Sequence, residues 1–168
     1  ESYRITRNLA MLRMGLDPAA FRPCADGKVR RLRFTDLQML YTLFDDGVAA
    51  GESPDFFFPE MVETGVFYGA EDSDGKLTAV AGTHLVSYSE KAAAIGNVYT
   101  RRDSRGQGLA RLTTSRVAED LLRSGVTTIA LNVKQKNHSA IRAYESLGFG
   151  SHGAFIEGTA EAAPVAGC

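Results

Sequence analysis

The chain has 168 residues, 44% hydrophobic and 23% charged, with a formal net charge of -1, which is enough for one sizeable core and hardly for two. The near-neutral balance gives no global basic field for nucleic acid, and the cluster Arg101, Arg102 and Arg105 is local. No apolar run approaches membrane-spanning length, Cys24 and Cys168 near opposite ends make no disulfide framework, and His84, His138 and His152 lack metal-ligand spacing, so a cytoplasmic protein without membrane partner or metal is expected.

In chain order, residues 1–26 read as an N-terminal extension. It has no initiator Met, and its apolar run Leu9-Ala10-Met11-Leu12-Arg13-Met14 has no clean period, as for a strand or helix that needs a partner. Residues 27–158 read as the domain proper. Val29 to Phe34 alternates and predicts a first strand, and Thr35 predicts the cap of a helix running to about Phe44. Asp45 to Pro59, with Gly47, Gly51, Pro54 and Pro59, reads as a loop before a short helix at Glu60 to Glu63. A strand starts at Phe67, Asp72-Ser73-Asp74-Gly75-Lys76 is a hairpin turn, and Leu77 to Ser87 is a long strand. The next strand, Ala94 to Thr100, enters a polar turn, followed by a helix whose Leu109, Thr113, Val117 and Leu121 repeat at i+4. A strand at Thr128 to Val133, a helix after Asn137 and a terminal hairpin at Phe149 to Ile156 complete a mixed α/β sheet. Residues 159–168 read as a disordered tail.

The most informative stretch is Tyr99-Thr100-Arg101-Arg102-Asp103-Ser104-Arg105-Gly106-Gln107-Gly108-Leu109-Ala110. Strand, glycine turn and helix start is a geometry for phosphate, because the first helix amides lack intrahelical partners and lie at the positive dipole end. Arg105 adds a charged donor. The turn lacks the Gly-Lys-Ser/Thr ending of a nucleotide P-loop, and Arg111 stands where a dinucleotide fingerprint needs Gly or Ala. A diphosphate that serves as a handle fits better.

Arg105-x-x-Gly108-x-Ala110 resembles the Arg/Gln-x-x-Gly-x-Gly/Ala signature of the GCN5-related N-acetyltransferases (GNAT family). Asn137-x-x-Ala140-x-x-x-Tyr144-x-x-x-Gly148-Phe149 resembles the family's second motif. On the residues alone, Asn137 is also a good N-cap and Tyr144 also a core aromatic. The resemblance runs from about Val29 to Gly158; relatives of the FR47-like group, which the chain resembles, place this domain second in a longer chain, so an upstream segment is expected. The resemblance implies a mostly antiparallel sheet with helices on both faces and central strands splayed for acyl-CoA. It also implies acetyl-CoA as acyl donor, bound by Val98, Tyr99, Thr100, Arg105, Gly106, Gln107, Gly108, Leu109 and Ala110, with Asn132 and Asn137 along the pantetheine. The implied reaction is direct attack of an amine, on a small molecule or a protein, in a ternary complex. Tyr144 is the implied acid for the leaving thiolate. Many relatives carry a Glu on the strand before the phosphate loop; here Asn97 and Tyr99 stand there, and His84 on the preceding strand is a candidate base, with Glu71 and Glu63 as further options.

A non-catalytic acyl-CoA-binding regulatory module is the alternative, and a homodimer stays open as an assembly. Asp45 to Glu63 carries Asp45, Asp46, Glu52, Asp55, Glu60 and Glu63 with no Lys or Arg, around Phe56-Phe57-Phe58. It is expected either to steer a cationic amine or to be a solvated loop with its phenylalanines in the core.

Overall fold

The structure is a computed structural model that describes residues 3–25, 27–54 and 56–162. The strands are β1 (Tyr3–Leu16), β2 (Arg30–Arg31), β3 (Tyr68–Glu71), β4 (Leu77–Ser87), β5 (Ala92–Thr100), β6 (Thr128–Lys134) and β7 (Phe149–Ala162); the helices are α1 (Leu37–Val48), α2 (Glu60–Thr64), α3 (Leu109–Arg123) and α4 (His138–Leu147). Among the described residues the strands form one seven-stranded sheet in the order β2-β3-β4-β5-β6-β1-β7. Every neighbouring pair is antiparallel except β5 and β6. A parallel pair needs a crossover, and α3 supplies it.

Each helix buries the face its spacing predicts. Leu40, Leu43, Phe44 and Gly47 are the buried side of α1, and with Leu32, Val62, Phe67, Leu77, Val80 and Tyr99 they form one core layer. Thr113, Val117 and Leu121 lie on the buried side of α3, and Tyr144 and Leu147 on that of α4; with Met14, Ile95, Ile129 and Leu131 these helices build the layer on the opposite face. The Asn137 side chain caps α4 by accepting from the Ala140 amide, and Gly148 ends it in a left-handed conformation. At the Asp72 turn the carboxylate accepts from the amides of Asp74 and Lys76.

Some expectations change. The predicted strand at Val29 to Phe34 shrinks to β2, because a 3-10 turn at Phe34–Asp36 starts first. Thr35 lies inside that turn; the Asp36 carboxylate accepts from the Arg33 amide instead. The predicted loop from Asp45 begins only after Val48. Phe149 to Ile156 is no hairpin of its own but the start of β7, whose partner is β1.

The largest change concerns both ends. The N-terminal run is a full strand of the sheet, inserted between β6 and β7. Leu12, Met14 and Leu16 face the α3/α4 core, which is the partner this aperiodic run lacked in sequence. The segment after β1 also seats the end of α4, with the Arg22 amide donating to the Leu147 carbonyl. β7 continues through Ala162, so the expected tail from residue 159 is partly strand; residues 163–168 lie outside the described residues. Among the described residues no helix is long and apolar enough to cross a membrane.

Candidate functional site

The site begins where β5 and β6 part. Their parallel ladder holds from Ala92↔Thr128 to Ile95↔Leu131 and stops. Beyond it β6 continues beside β1 to Lys134, while β5 continues beside β4 to Thr100. The divergence has a local cause in two bulges. Between Val80↔Tyr99 and Gly82↔Gly96, β5 uses three steps against two on β4. Asn97 in that interval sits at φ +51, a left-handed conformation typical of a bulged residue. Between Thr83↔Ile95 and Leu85↔Ala94 the extra residue is on β4, and it is His84.

Past the bulge the amides of β5 alternate. The Arg101 amide donates to the Thr78 carbonyl of β4, so the Tyr99 amide points the same way and those of Val98 and Thr100 point into the gap. This separates the three strand residues expected to bind the donor. The Tyr99 side chain belongs to the α1 core, where its hydroxyl donates to Asp46 at 2.8 Å. Burial, with Asp46 adding to it, pushes that hydroxyl up to about 12. The same Asp46 oxygen accepts from the Arg102 amide at 2.9 Å, and these two bonds hold the carboxyl below its usual range.

The glycine turn forms as expected. Gly106 and Gly108 lie at φ +77 and +76, and Gly108 is the N-cap residue of α3. The first helical bond runs from the Leu112 amide to the Gly108 carbonyl, so the amides of Leu109, Ala110 and Arg111 have no intrahelical partner. A Cβ at Gly106 or Gly108 would meet nothing within 4 Å. The glycines are there for backbone conformation and not for space. Gln107, Gly108 and Leu109 line a shallow cavity of about 670 Å³ together with Lys28, Arg111 and Leu112.

Arg105 is placed differently. Its Nε donates to the Thr100 carbonyl at 3.2 Å, its guanidinium lies 5.8 Å from the Tyr99 ring centre, and Nη2 pairs with Glu52 at 2.7 Å. The Glu52 partner raises the Arg105 pKa, and Arg105 holds Glu52 below the usual carboxylate range. The arginine expected on a diphosphate is therefore tied to the loop between α1 and α2. In this structure its partner is an anion from a distant segment of the chain.

Asn132 and Asn137 are also engaged within the protein. Asn132 Oδ1 accepts from Arg13 Nε at 3.1 Å, and Asn137 Oδ1 caps α4. Tyr144 is buried in the α3/α4 core with Leu131, Val133 and the partly buried Val98, which bound the gap. Burial alone pushes its hydroxyl up to about 12.

His84 lies on the other side of the gap. Its ring covers Gly96, where any Cβ would collide with it, and packs edge-on against Phe56 at 5.3 Å. With Arg13, Asn132 and an apolar strip of Ala94, Ile95, Ala130 and Leu131 it lines a groove of about 200 Å³. The phenylalanine run divides. Phe57 packs edge-on to Phe44 and Phe67 in the core, while Phe56 and Phe58 stand exposed beside His84. Within the acidic segment Asp46 accepts from Tyr99 and Glu52 pairs with Arg105; Asp55 lies outside the described residues.

One participant was not singled out from sequence, and another was named there only as a residue standing where relatives carry Glu. Arg13 sits in the run set aside as an extension. Asn97 is buried with its Oδ1 unpartnered among the described residues and its Nδ2 3.6 Å from Met61 Sδ. A positive φ at a non-glycine strand residue leaves no mark in the sequence.

Residues 33–149 match the acetyltransferase (GNAT) family. The chain is 30% identical over 110 residues to a mycothiol acetyltransferase of Tsukamurella paurometabola, covering 62% of this chain and 37% of that protein. It is 37% identical over 76 residues to the [ribosomal protein bS18]-alanine N-acetyltransferase of Escherichia coli, covering 45% of this chain and 49% of that one. The matches therefore span between about a third and a half of those relatives. A crystal structure of a GNAT-family acetyltransferase from Novosphingobium aromaticivorans superposes with a TM-score of 0.75 at 27% identity, over 92% of this chain and 65% of that one.

Proposed function

We propose, from the premise that this chain belongs to the acetyltransferase (GNAT) family, that its site transfers an acetyl group from acetyl-CoA to an amine by direct attack in a ternary complex. The observation that carries this reading is the gap between β5 and β6, open from Gly96 and Asn132 onward and continuous in sequence with the glycine turn of α3. The amides of Leu109, Ala110 and Arg111 would hold the diphosphate, and those of Val98 and Thr100 the acyl end. The assignment to the FR47-like group belongs to the same proposal and rests on the sequence resemblance.

The chemistry follows from these positions. The amine must lose its extra proton before attack, because an alkylammonium titrates near ~10.4. Its lone pair then adds to the thioester carbonyl, and the oxyanion that develops faces the β5 amides. Collapse keeps the new C–N bond and breaks the C–S bond. One of the two protons on the attacking nitrogen passes to His84, directly or through water, the other stays as the amide N–H, and the thiolate departs beside Tyr144. A thiol titrates near ~8.5, so a tyrosine at about 12 favours hydrogen-bonding the thiolate over surrendering its proton outright. Most of the acceleration comes from holding both reactants in one gap.

Release of CoA from acetyl-CoA, measured with and without a panel of amines, tests the reading. Release that no amine accelerates, with acetyl-CoA bound, would favour the non-catalytic acyl-CoA module, whose support is the absence of a carboxylate on β5. His84→Gln is expected to lower kcat by about tenfold or more with acetyl-CoA affinity retained. Unchanged kcat would assign the proton to solvent.

Glu52 competes with the diphosphate for Arg105. Glu52→Gln should tighten acetyl-CoA binding roughly two- to fivefold, in keeping with an exposed ion pair. The gain should shrink as salt is raised. Calorimetric titration at low and high ionic strength checks it, and equal affinity for both proteins at low salt would show that Arg105 does not meet the donor.

A further inference from the structure

We infer that the acceptor is an amine carrying an oxyanion on the same molecule, and that Arg13 is the residue that selects it. The inference rests on the acyl-transfer reading above and names the substrate class of that site.

Arg13 stands in β1 between Leu12 and Met14, which pack into the α3/α4 core, so strand alternation puts its side chain on the opposite face. There it lines the groove with His84 at the point where the β5–β6 ladder ends. Two contacts fix it. Its Nε donates to Asn132 Oδ1 at 3.1 Å, and its guanidinium lies over the Phe155 ring at 5.1 Å. A bulge in β7 lies alongside, between Arg13↔Gly153 and Met14↔Ser151, and bulges commonly aim a neighbouring side chain.

With Nε used and the plane held by stacking, the two terminal nitrogens of Arg13 keep their outer edge available. Among the described residues no carboxylate pairs with it, whereas Arg4, Arg30, Arg31, Arg101, Arg105, Arg116 and Arg123 each have one. That edge is a two-pronged donor matched to a carboxylate or phosphate. Because the side chain is already ordered, little freedom is lost when an anion arrives.

The rest of the groove agrees. Among the described residues its lining contains no acid, only Arg13, His84 and Asn132 around the strip Ala94, Ile95, Ala130 and Leu131. An ammonium with its own anion fits: the anion on Arg13, a short aliphatic spacer along the strip, the amine toward His84. A volume of about 200 Å³ is below the ~300–1,000 Å³ typical of drug-sized pockets, so a small molecule or a single terminal residue is the size accommodated.

The test uses matched acceptors with the full chain: short amino acids, their carboxamides, and aminoalkyl phosphates of equal length, with CoA release as readout. The anionic series is expected to show kcat/KM at least about tenfold above the amides, the scale of one bidentate charged contact. Arg13→Gln should bring the two series level, chiefly by raising KM for the anions, while the folded protein still turns over the amides. Arg13→Lys should restore part of the preference. Whether carboxylate or phosphate leads identifies the source of the oxyanion. Turnover of amines with no preference for the anionic series, or a preference that survives Arg13→Gln, overturns the inference and leaves acyl transfer standing. An equal loss in both series would make Arg13 a structural residue and also overturn it. Failure to turn over any member, with acetyl-CoA bound, overturns both this inference and the catalytic reading.

Discussion

Gly108→Val is expected to abolish acetyl-CoA binding, weakening it by at least about 100-fold, in a protein that still folds. Gly108 holds φ +76 and ψ 7 at the N-cap of α3. A β-branched residue is strongly disfavoured there, at a cost of roughly 1–2 kcal/mol or more. The penalty is purely conformational, because a Cβ at this position meets no atom within 4 Å. Valine therefore relieves strain by turning the backbone, and the free amides of Leu109, Ala110 and Arg111 turn with it. The buried face of α3 starts a full turn later, at Thr113, so the core holds. Calorimetry with acetyl-CoA and circular dichroism on the same sample read the two halves of the prediction. A folded variant with unchanged affinity would rule out this turn as the diphosphate site. Arg105→Ala should be milder, a few-fold at most, since Glu52 already neutralises that charge.

Tyr144→Phe should lower kcat by about ten- to a hundredfold, the worth of one hydrogen bond to a developing anion. Acetyl-CoA affinity should be retained. The aromatic ring keeps its place against Phe149 at 6.0 Å, so packing survives and only the hydroxyl is lost. A fall in affinity with kcat intact would assign Tyr144 to packing.

A stability measurement adds an independent check. Burial raises the hydroxyl from 10.0 in the free side chain to about 12 in the fold. The folded state thus binds the proton more tightly, its stability contribution is complete below pH 10, and it is lost as pH rises from there through about 12. The phenylalanine variant should lack this alkaline component in denaturant titrations. Equal alkaline profiles for the two proteins would mean the hydroxyl is not desolvated.

What could be read from the chain alone was local. The Asn137 cap, the Gly148 stop, the Asp72 turn and the glycine conformations at Gly106 and Gly108 each depend on residues within about four positions. Helix faces follow from the same short range, since 3.6 residues per turn puts Thr113, Val117 and Leu121 in line whatever they pack against. The two motifs that mark the family are built from such local units, so the sequence determined the family and the placement of the glycine turn.

Only the tertiary structure decided what the site's side chains are doing. Arg105 reads as a phosphate ligand in its motif, yet it pairs with Glu52 across 53 positions of chain. Arg13 meets Asn132 across 119. The strand that carries Arg13 has no clean period because apolar residues stand on both of its faces: Leu12, Met14 and Leu16 pack into the α3/α4 core, and Met11, on Arg13's face, is buried as well. Strand register sets such pairs, and register is chosen by the summed burial of a whole sheet face, not by the residues that happen to meet. No spacing rule within β1 could have announced its place between β6 and β7. The parting of β5 from β6 is of the same kind: one residue too many at Asn97 and one at His84 turn a continuous sheet into an open gap.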